Sequence, residues 1–166
     1  MALHVHEHCH KMATREDGTP WWAAFPEPVS AVNRIEPGQV LELLEAHDGD
    51  EPRDFLIVDA RRADCTGGTV ASAINLPAHS FYPTRRVLYD LCKRAGIKRV
   101  IFYCGSSNGR GPRCAAWMQD YANEVGGHLQ SHVMTGGIRG WVQAYGGRMM
   151  DAYDEQAWQK RQMESE

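Results

Sequence analysis

Arg99-Val100-Ile101-Phe102-Tyr103-Cys104-Gly105-Ser106-Ser107-Asn108-Gly109-Arg110-Gly111-Pro112-Arg113 runs from an apolar stretch to a cysteine, through five small or polar residues, to an arginine and a proline. The apolar stretch, rich in β-branched and aromatic residues, predicts a strand buried on both faces, as in a parallel sheet. Arg110-Gly111-Pro112 predicts the first turn of a helix, where proline is tolerated. Strand, short loop and helix in that order deliver Cys104 to the carboxyl edge of a sheet. That edge is where α/β proteins build their sites.

The flanking sequence repeats the alternation. Pro37 opens a predicted helix with Val40, Leu43 and Leu44 on one face. Phe55-Leu56-Ile57-Val58-Asp59-Ala60 predicts a second buried strand, and Ile74-Asn75-Leu76 a short third one. Pro83 opens a helix with Val87, Leu88, Leu91, Cys92 and Ala95 inward, stopped by Gly96. Cys114, Met118, Tyr121 and Val125 share a face of the helix after Arg110. His132-Val133-Met134 predicts a last strand, followed by a glycine-rich turn and a short helix near Trp141. Alternating strands and helices of this kind make an α/β domain with a mainly parallel sheet.

With 166 residues, the chain suits one domain. We expect residues 1–30 to form an extended, partly disordered segment packing on that domain. Residues 31–150 then form the domain, and residues 151–166 a polar tail or helix. Trp21, Trp22 and Phe25 sit among prolines that forbid a regular helix. They are costly to leave in water, so docking on the body is expected, with partner binding as the alternative.

A net charge of −3 gives no reason to expect nucleic acid or an anionic membrane as partner. No stretch is apolar enough to span a bilayer, and the first residues lack a signal-peptide pattern. The expected location is the cytoplasm, the nucleus or both. The five cysteines form no CxxC pair, which favours free thiols over a disulfide framework.

The loop from Gly105 to Gly109 carries the chemistry. Small residues let successive backbone N–H groups turn inward and cradle an anion, and the helix start adds its own N–H groups. Arg110 offers a fork of donors to two oxygens of a tetrahedral oxyanion, and Arg113 adds positive field. The same surroundings stabilise a thiolate on Cys104, the expected nucleophile. The competing interpretation is a buried structural thiol at a strand end.

The same residues resemble the Cys-x-x-x-x-x-Arg signature of the cell-division-cycle dual-specificity phosphatases and of their small stand-alone relatives, which include eukaryotic arsenate reductases. Asp59-Ala60-Arg61, Gly67-Gly68, Ala73-Ile74-Asn75 and Gly136-Gly137-Ile138-Arg139-Gly140-Trp141 resemble further motifs of that family. The likeness spans roughly residues 32 to 148. It implies a single rhodanese-like α/β domain, with a central, mainly parallel sheet flanked by helices. Phosphatase activity through a thio-phosphoryl intermediate is the first expectation. Arsenate reduction completed by glutathione or glutaredoxin is the second. A thiosulfate-type sulfurtransferase and a non-catalytic phospho-binding module come third, because sulfurtransferases of this fold commonly carry a shorter loop. The implied partners are a phosphorylated small molecule or protein, or arsenate, with no resident cofactor.

Four positions depart from the family pattern: Tyr103, Gly109, Ala60 and Thr69 stand where His, a loop Glu, a second Cys and a His are usual. The missing Glu removes the family's proposed general acid. Asp64 is the replacement candidate, and Cys65 a candidate resolving thiol with an exposed bystander as the alternative. Asp59 and Arg61 are expected to form a structural ion pair, and Cys92 and Cys114 to be core thiols. Arg85 and Arg86 are expected on an outer helix face. No biological metal is expected at His4, His6, His8, Cys9 and His10, since nothing apolar surrounds them.

Overall fold

The structure is a computed structural model that describes residues 14–47, 49 and 51–164. The histidine-rich cluster at residues 4–10 lies outside the described residues.

Five strands form one sheet in the order β1-β6-β5-β2-β4, every neighbouring pair parallel. They are β1 (Asn33–Ile35), β2 (Phe55–Asp59), β4 (Ile74–Asn75), β5 (Arg99–Tyr103) and β6 (Gln130–Met134). A separate antiparallel pair joins β3 (Thr69–Val70) to β7 (Met150–Asp151). The helices are α1 (Pro37–Ala46), α2 (Ala78–Arg94), α3 (Arg110–Glu124), α4 (Gly137–Tyr145) and α5 (Glu155–Met163).

Alternation along the central strand β5 creates two cores. Val100 and Phe102 point to one face with Val58 and Val133, under α2 and α3. Ile101 and Tyr103 point to the other with Ile57 and Met134, under α1, α4 and α5. A strand covered on both faces must be apolar throughout, which is why its sequence shows no polar alternation.

The structure corrects the helix expected to open at Pro83. The helix α2 begins at Ala78, with Pro83 inside it. Pro83 lacks a backbone N–H, but the Thr84 hydroxyl donates to Phe81 O at 2.9 Å and Ser80 O at 3.2 Å, satisfying nearby carbonyls. The earlier start places Ala78 and Phe81 inward, which fixes the helix phase. Leu88, Tyr89 and Cys92 follow them into the core. Val87 and Leu91, expected inside, are 63% and 57% exposed. Val125, also expected inside, lies just past the end of α3 and is exposed.

The N-terminal aromatics dock. Trp21 to Ala24 form a single 3-10 turn, and Trp21 is buried against the edge of Trp117. Phe25 stacks on Tyr82 at 5.0 Å, while the Trp117 indole donates to Pro26 O at 2.8 Å. Asp120 accepts from the Val29 and Ser30 backbone N–H groups. Residues 21–30 thus form a strap across α3. At the other end, α5 buries Trp158, whose indole donates to Gly67 O at 2.8 Å. Among the described residues no helix is long and apolar enough to cross a membrane.

Candidate active site

Cys104 follows the last residue of β5, is 3% exposed, and opens into a cleft of about 790 Å³ at the carboxyl edge of the sheet. Gly105, Ser106, Asn108, Gly109 and Arg110 line that cleft with it. The loop is held by the protein's own backbone. At the start of α4, Ile138 N–H donates to Cys104 O at 3.0 Å and Arg139 N–H to Gly105 O at 3.1 Å. These two bonds fix the orientation of the first peptides of the loop.

Two backbone positions are special here, and the first makes this contact close. Gly137 has φ +59°, and a Cβ there would press on Cys104 O and come within 2.7 Å of Gly105 O. Ser107 also has positive φ, at 56°, and is fully buried. Its hydroxyl accepts from Cys104 N–H at 3.4 Å. Ser107, expected among the anion-binding residues, therefore turns its side chain to the loop rather than to the cleft.

Arg110 begins α3 and its guanidinium is already occupied. Nη1 donates to Asp64 Oδ1 at 2.7 Å and Nη2 to Asp64 Oδ2 at 2.6 Å, a bidentate pair. The Asp64 hydrogen bonds raise Arg110 above its ordinary value. For Asp64, burial opposes the charged form, but the bonds from Arg110 outweigh it and hold the carboxyl at about 2. In this state Asp64 is a bound carboxylate with no proton to give. The residue expected from the sequence as a general acid is here the partner of Arg110.

Beneath the loop lies a buried polar cluster. Arg61 Nη2 lies 2.6 Å from Asp59 Oδ2, and the side chains of both are almost fully buried. Arg61 also donates to Gly68 O at 2.7 Å and to Asp64 O at 3.3 Å, tying the end of β2 to the Asp64 loop. The Tyr103 hydroxyl donates to Asp59 Oδ2 at 3.0 Å and accepts from Val70 N–H at 3.1 Å. Tyr103 thus serves the ion pair from the sheet face opposite Phe102. Burial in this low-dielectric cluster raises the Tyr103 hydroxyl well above its ordinary range.

The remaining candidates separate. Arg113 lines the cleft, but its guanidinium pairs with Glu27 at 2.7 Å and lies over Trp22 at 4.9 Å, so the strap takes up its charge. Cys65 is a half-buried free thiol in the 3-10 turn Ala63–Cys65 and is not among the cleft walls. Cys92 and Cys114 are buried core thiols; burial raises Cys92 to about 11, and Cys114 further. Arg85 does not sit free on an outer face: its guanidinium lies 3.7 Å from the Tyr82 ring centroid.

Sequence reasoning missed Arg62, His79 and Arg139, which also line the cleft, and the role of Trp21 and Trp22 as one of its walls. His79 packs against Trp21 at 4.5 Å. Arg139 lies close to the cradle, since a Cβ on Gly105 would sit 3.9 Å from its Nε. Its signal was its place in the Gly-Gly-Ile-Arg-Gly-Trp turn, which delivers a side chain beside the loop that the turn supports.

The sequence profile of the rhodanese-like domain matches residues 37–144. Arsenical-resistance protein 2 of Saccharomyces cerevisiae is 27% identical over 100 residues, spanning 55% of this chain and 77% of that protein. The As-Sb reductase of Leishmania major superposes with a TM-score of 0.65 at 23% identity, over 72% of this chain and 85% of that one. A yeast protein tyrosine phosphatase of the rhodanese family superposes with a TM-score of 0.62 at 22% identity, over 78% and 99%. At these identities the structural likeness shows the fold.

Proposed function

The chain belongs to the rhodanese-like domain family, and from that premise we propose that it is a cysteine-dependent phosphatase acting through a covalent intermediate on Cys104. The observation that carries this reading is the Arg110 fork. It stands in the same cleft as Cys104 and holds a bidentate oxygen acceptor, the Asp64 carboxylate. A guanidinium that binds two carboxylate oxygens is built to bind two phosphoryl oxygens.

A phosphate monoester would sit with its non-bridging oxygens on the loop N–H groups and Arg110. The Cys104 thiolate attacks phosphorus in line with the leaving oxygen, and the cradle holds the charge on the equatorial oxygens through the transition state. Water then releases phosphate from the thio-phosphoryl cysteine. The backbone from Gly105 to Gly109 supplies the donors, and no resident cofactor is needed.

Arsenate reduction is the second reading, favoured by the resemblance to arsenical-resistance protein 2. The same thiolate and fork would bind arsenate, with an external thiol such as glutathione or glutaredoxin supplying the reducing electrons. Turnover of para-nitrophenyl phosphate by the wild type, abolished in Cys104→Ser, is the expected result. No phosphate release, together with arsenite formation from arsenate and glutathione, would replace the first reading with the second.

A further inference from the structure

Asp64 is the one carboxyl group among the described residues that line the cleft, and it fills both arms of the Arg110 fork. A carboxylate and one edge of a tetrahedral oxyanion present the same pair of oxygens to a guanidinium. The fork cannot hold both in that geometry. We propose that an incoming tetrahedral oxyanion displaces the Asp64 carboxylate from Arg110, and that the released carboxylate takes up a proton and returns it to the leaving-group oxygen. The donation step rests on the phosphatase reading above.

The surroundings of Asp64 make a side-chain exchange the natural movement. Its backbone is held in place: Asp64 O accepts from Arg61 at 3.3 Å and from Arg161 of α5 at 3.5 Å. Its carboxylate is held by Arg110 and by the Arg62 backbone N–H, at 3.0 Å. The side chain is 44% exposed and opens to the cleft, so rotation carries it aside without moving the loop. The displaced group therefore remains beside the bound anion.

The charge balance then reverses. Burial already opposes the Asp64 charge, and Arg110 is what overcomes it. With Arg110 spent on a dianion, burial and the new negative neighbour both favour the protonated form. Arg62, Arg113 and Arg139 also line the cleft and limit that rise, and His79 and Cys104 are the other titratable groups there. The loop itself offers no carboxyl group, since Gly109 has no side chain.

The steps balance. As the S–P bond to Cys104 forms and the P–O bond to the leaving group breaks, the proton passes from the Asp64 carboxyl to the departing oxygen. The ester leaves as a neutral alcohol or phenol, and Asp64 becomes a carboxylate. In the second step water attacks phosphorus, the S–P bond breaks to restore the thiolate, and the water proton returns to Asp64.

The test compares the full-length wild type with Asp64→Asn and Asp64→Glu. Tungstate, a tetrahedral dianion that carries no proton near neutral pH, is titrated calorimetrically at pH 5.5 in buffers of different ionisation enthalpy. The wild type and Asp64→Glu should take up a measurable fraction of a proton on binding. Asp64→Asn should take up clearly less and bind tungstate about 3- to 10-fold more tightly, having lost its internal competitor. In turnover, Asp64→Asn should lose ~10²-fold or more on phenyl phosphate, whose leaving group needs protonation, and far less on para-nitrophenyl phosphate.

Unchanged tungstate affinity and proton uptake in Asp64→Asn would overturn the exchange. Equal losses on both esters would overturn the donation, as would a wild type that binds tungstate but hydrolyses neither. Failure of every protein to bind tungstate would overturn the anion site itself, and the exchange with it.

Discussion

Replacing Gly137 by alanine should damage both the fold and the cradle. Gly137 opens α4 in the left-handed region, at φ +59°. An alanine there costs about 1–2 kcal/mol for its backbone conformation alone. Its Cβ would also press on Cys104 O and lie 2.7 Å from Gly105 O and 2.9 Å from Gly105 C. These are rigid backbone atoms beneath a buried cysteine, so the contact adds an overpacking cost of about 1–3 kcal/mol. Together the two give roughly 2–5 kcal/mol, which for a chain of this size lowers the melting temperature by roughly 5–15 °C. Relief comes only by moving α4 away, which stretches the Ile138 and Arg139 hydrogen bonds that hold the loop carbonyls. Tungstate affinity should therefore fall by about tenfold or more in the protein that remains folded. Gly140→Ala on the same helix is the control: its Cβ would make only an ordinary 3.7 Å contact with Thr135 O. That change should stabilise the helix by up to about 1 kcal/mol. Thermal melts followed by circular dichroism, with calorimetric tungstate titration, read both quantities. A Gly137→Ala protein with unchanged melting temperature and affinity would refute the packing argument.

Tyr103→Phe leaves the buried Val70 N–H without its acceptor and Asp59 short of one donor. It should cost about 1–3 kcal/mol in urea unfolding with little change in shape. Among the described cysteines, Cys92 and Cys114 should resist a disulfide reagent at pH 8 until the protein is denatured, because burial raises both thiols. A thiol count that does not rise on denaturation would contradict this. The Asp64 carboxyl is lowered in the folded state, so its pair with Arg110 contributes above the ordinary carboxylate range of ~3.9. That contribution is lost as pH falls toward about 2. With Asp64 44% exposed, solvent screening keeps it below ~1 kcal/mol. Denaturant titrations from pH 5 to pH 2 should show this slope in the wild type and a flatter one in Asp64→Asn.

The sheet was legible because its central strands are buried on both faces. Phe55 to Asp59 and Arg99 to Tyr103 carry unbroken apolar runs, and those runs became the paired strands β2 and β5. The loop between Cys104 and Arg110 was legible for a related reason: small residues ending at a helix start constrain the backbone locally. What escaped notice depends on contacts between distant segments. The strands β3 and β7 have two residues each and pair only because the chain returns some 80 residues later. The phase of α2 is set by Ala78 and Phe81, ahead of the proline that marked its expected start. Arg139 reaches the cleft because α4 docks on the loop; the Gly-Gly-Ile-Arg-Gly-Trp turn marks its position, but the docking itself is a long-range contact. The bond between Asp64 and Arg110 spans 46 residues, and no local pattern announces it.

The strap and the terminal helix have a practical meaning for anyone trimming this chain. Residues matching the family profile run from 37 to 144, but the packed structure extends past both limits. Cutting at residue 37 would strip the indole of Trp117 of its Pro26 acceptor and Arg113 of its Glu27 counter-charge, and would remove the Trp21 and Trp22 wall of the cleft. Cutting at residue 144 would remove β7 and Trp158, leaving Val70 and the Asp64 loop without the layer that covers them. A fragment drawn to the profile would keep the nucleophile, the cradle and the arginine, yet expose aromatic surface on opposite sides. It should be sticky and short-lived in solution, and a weak assay on it would report the trimming rather than the chemistry.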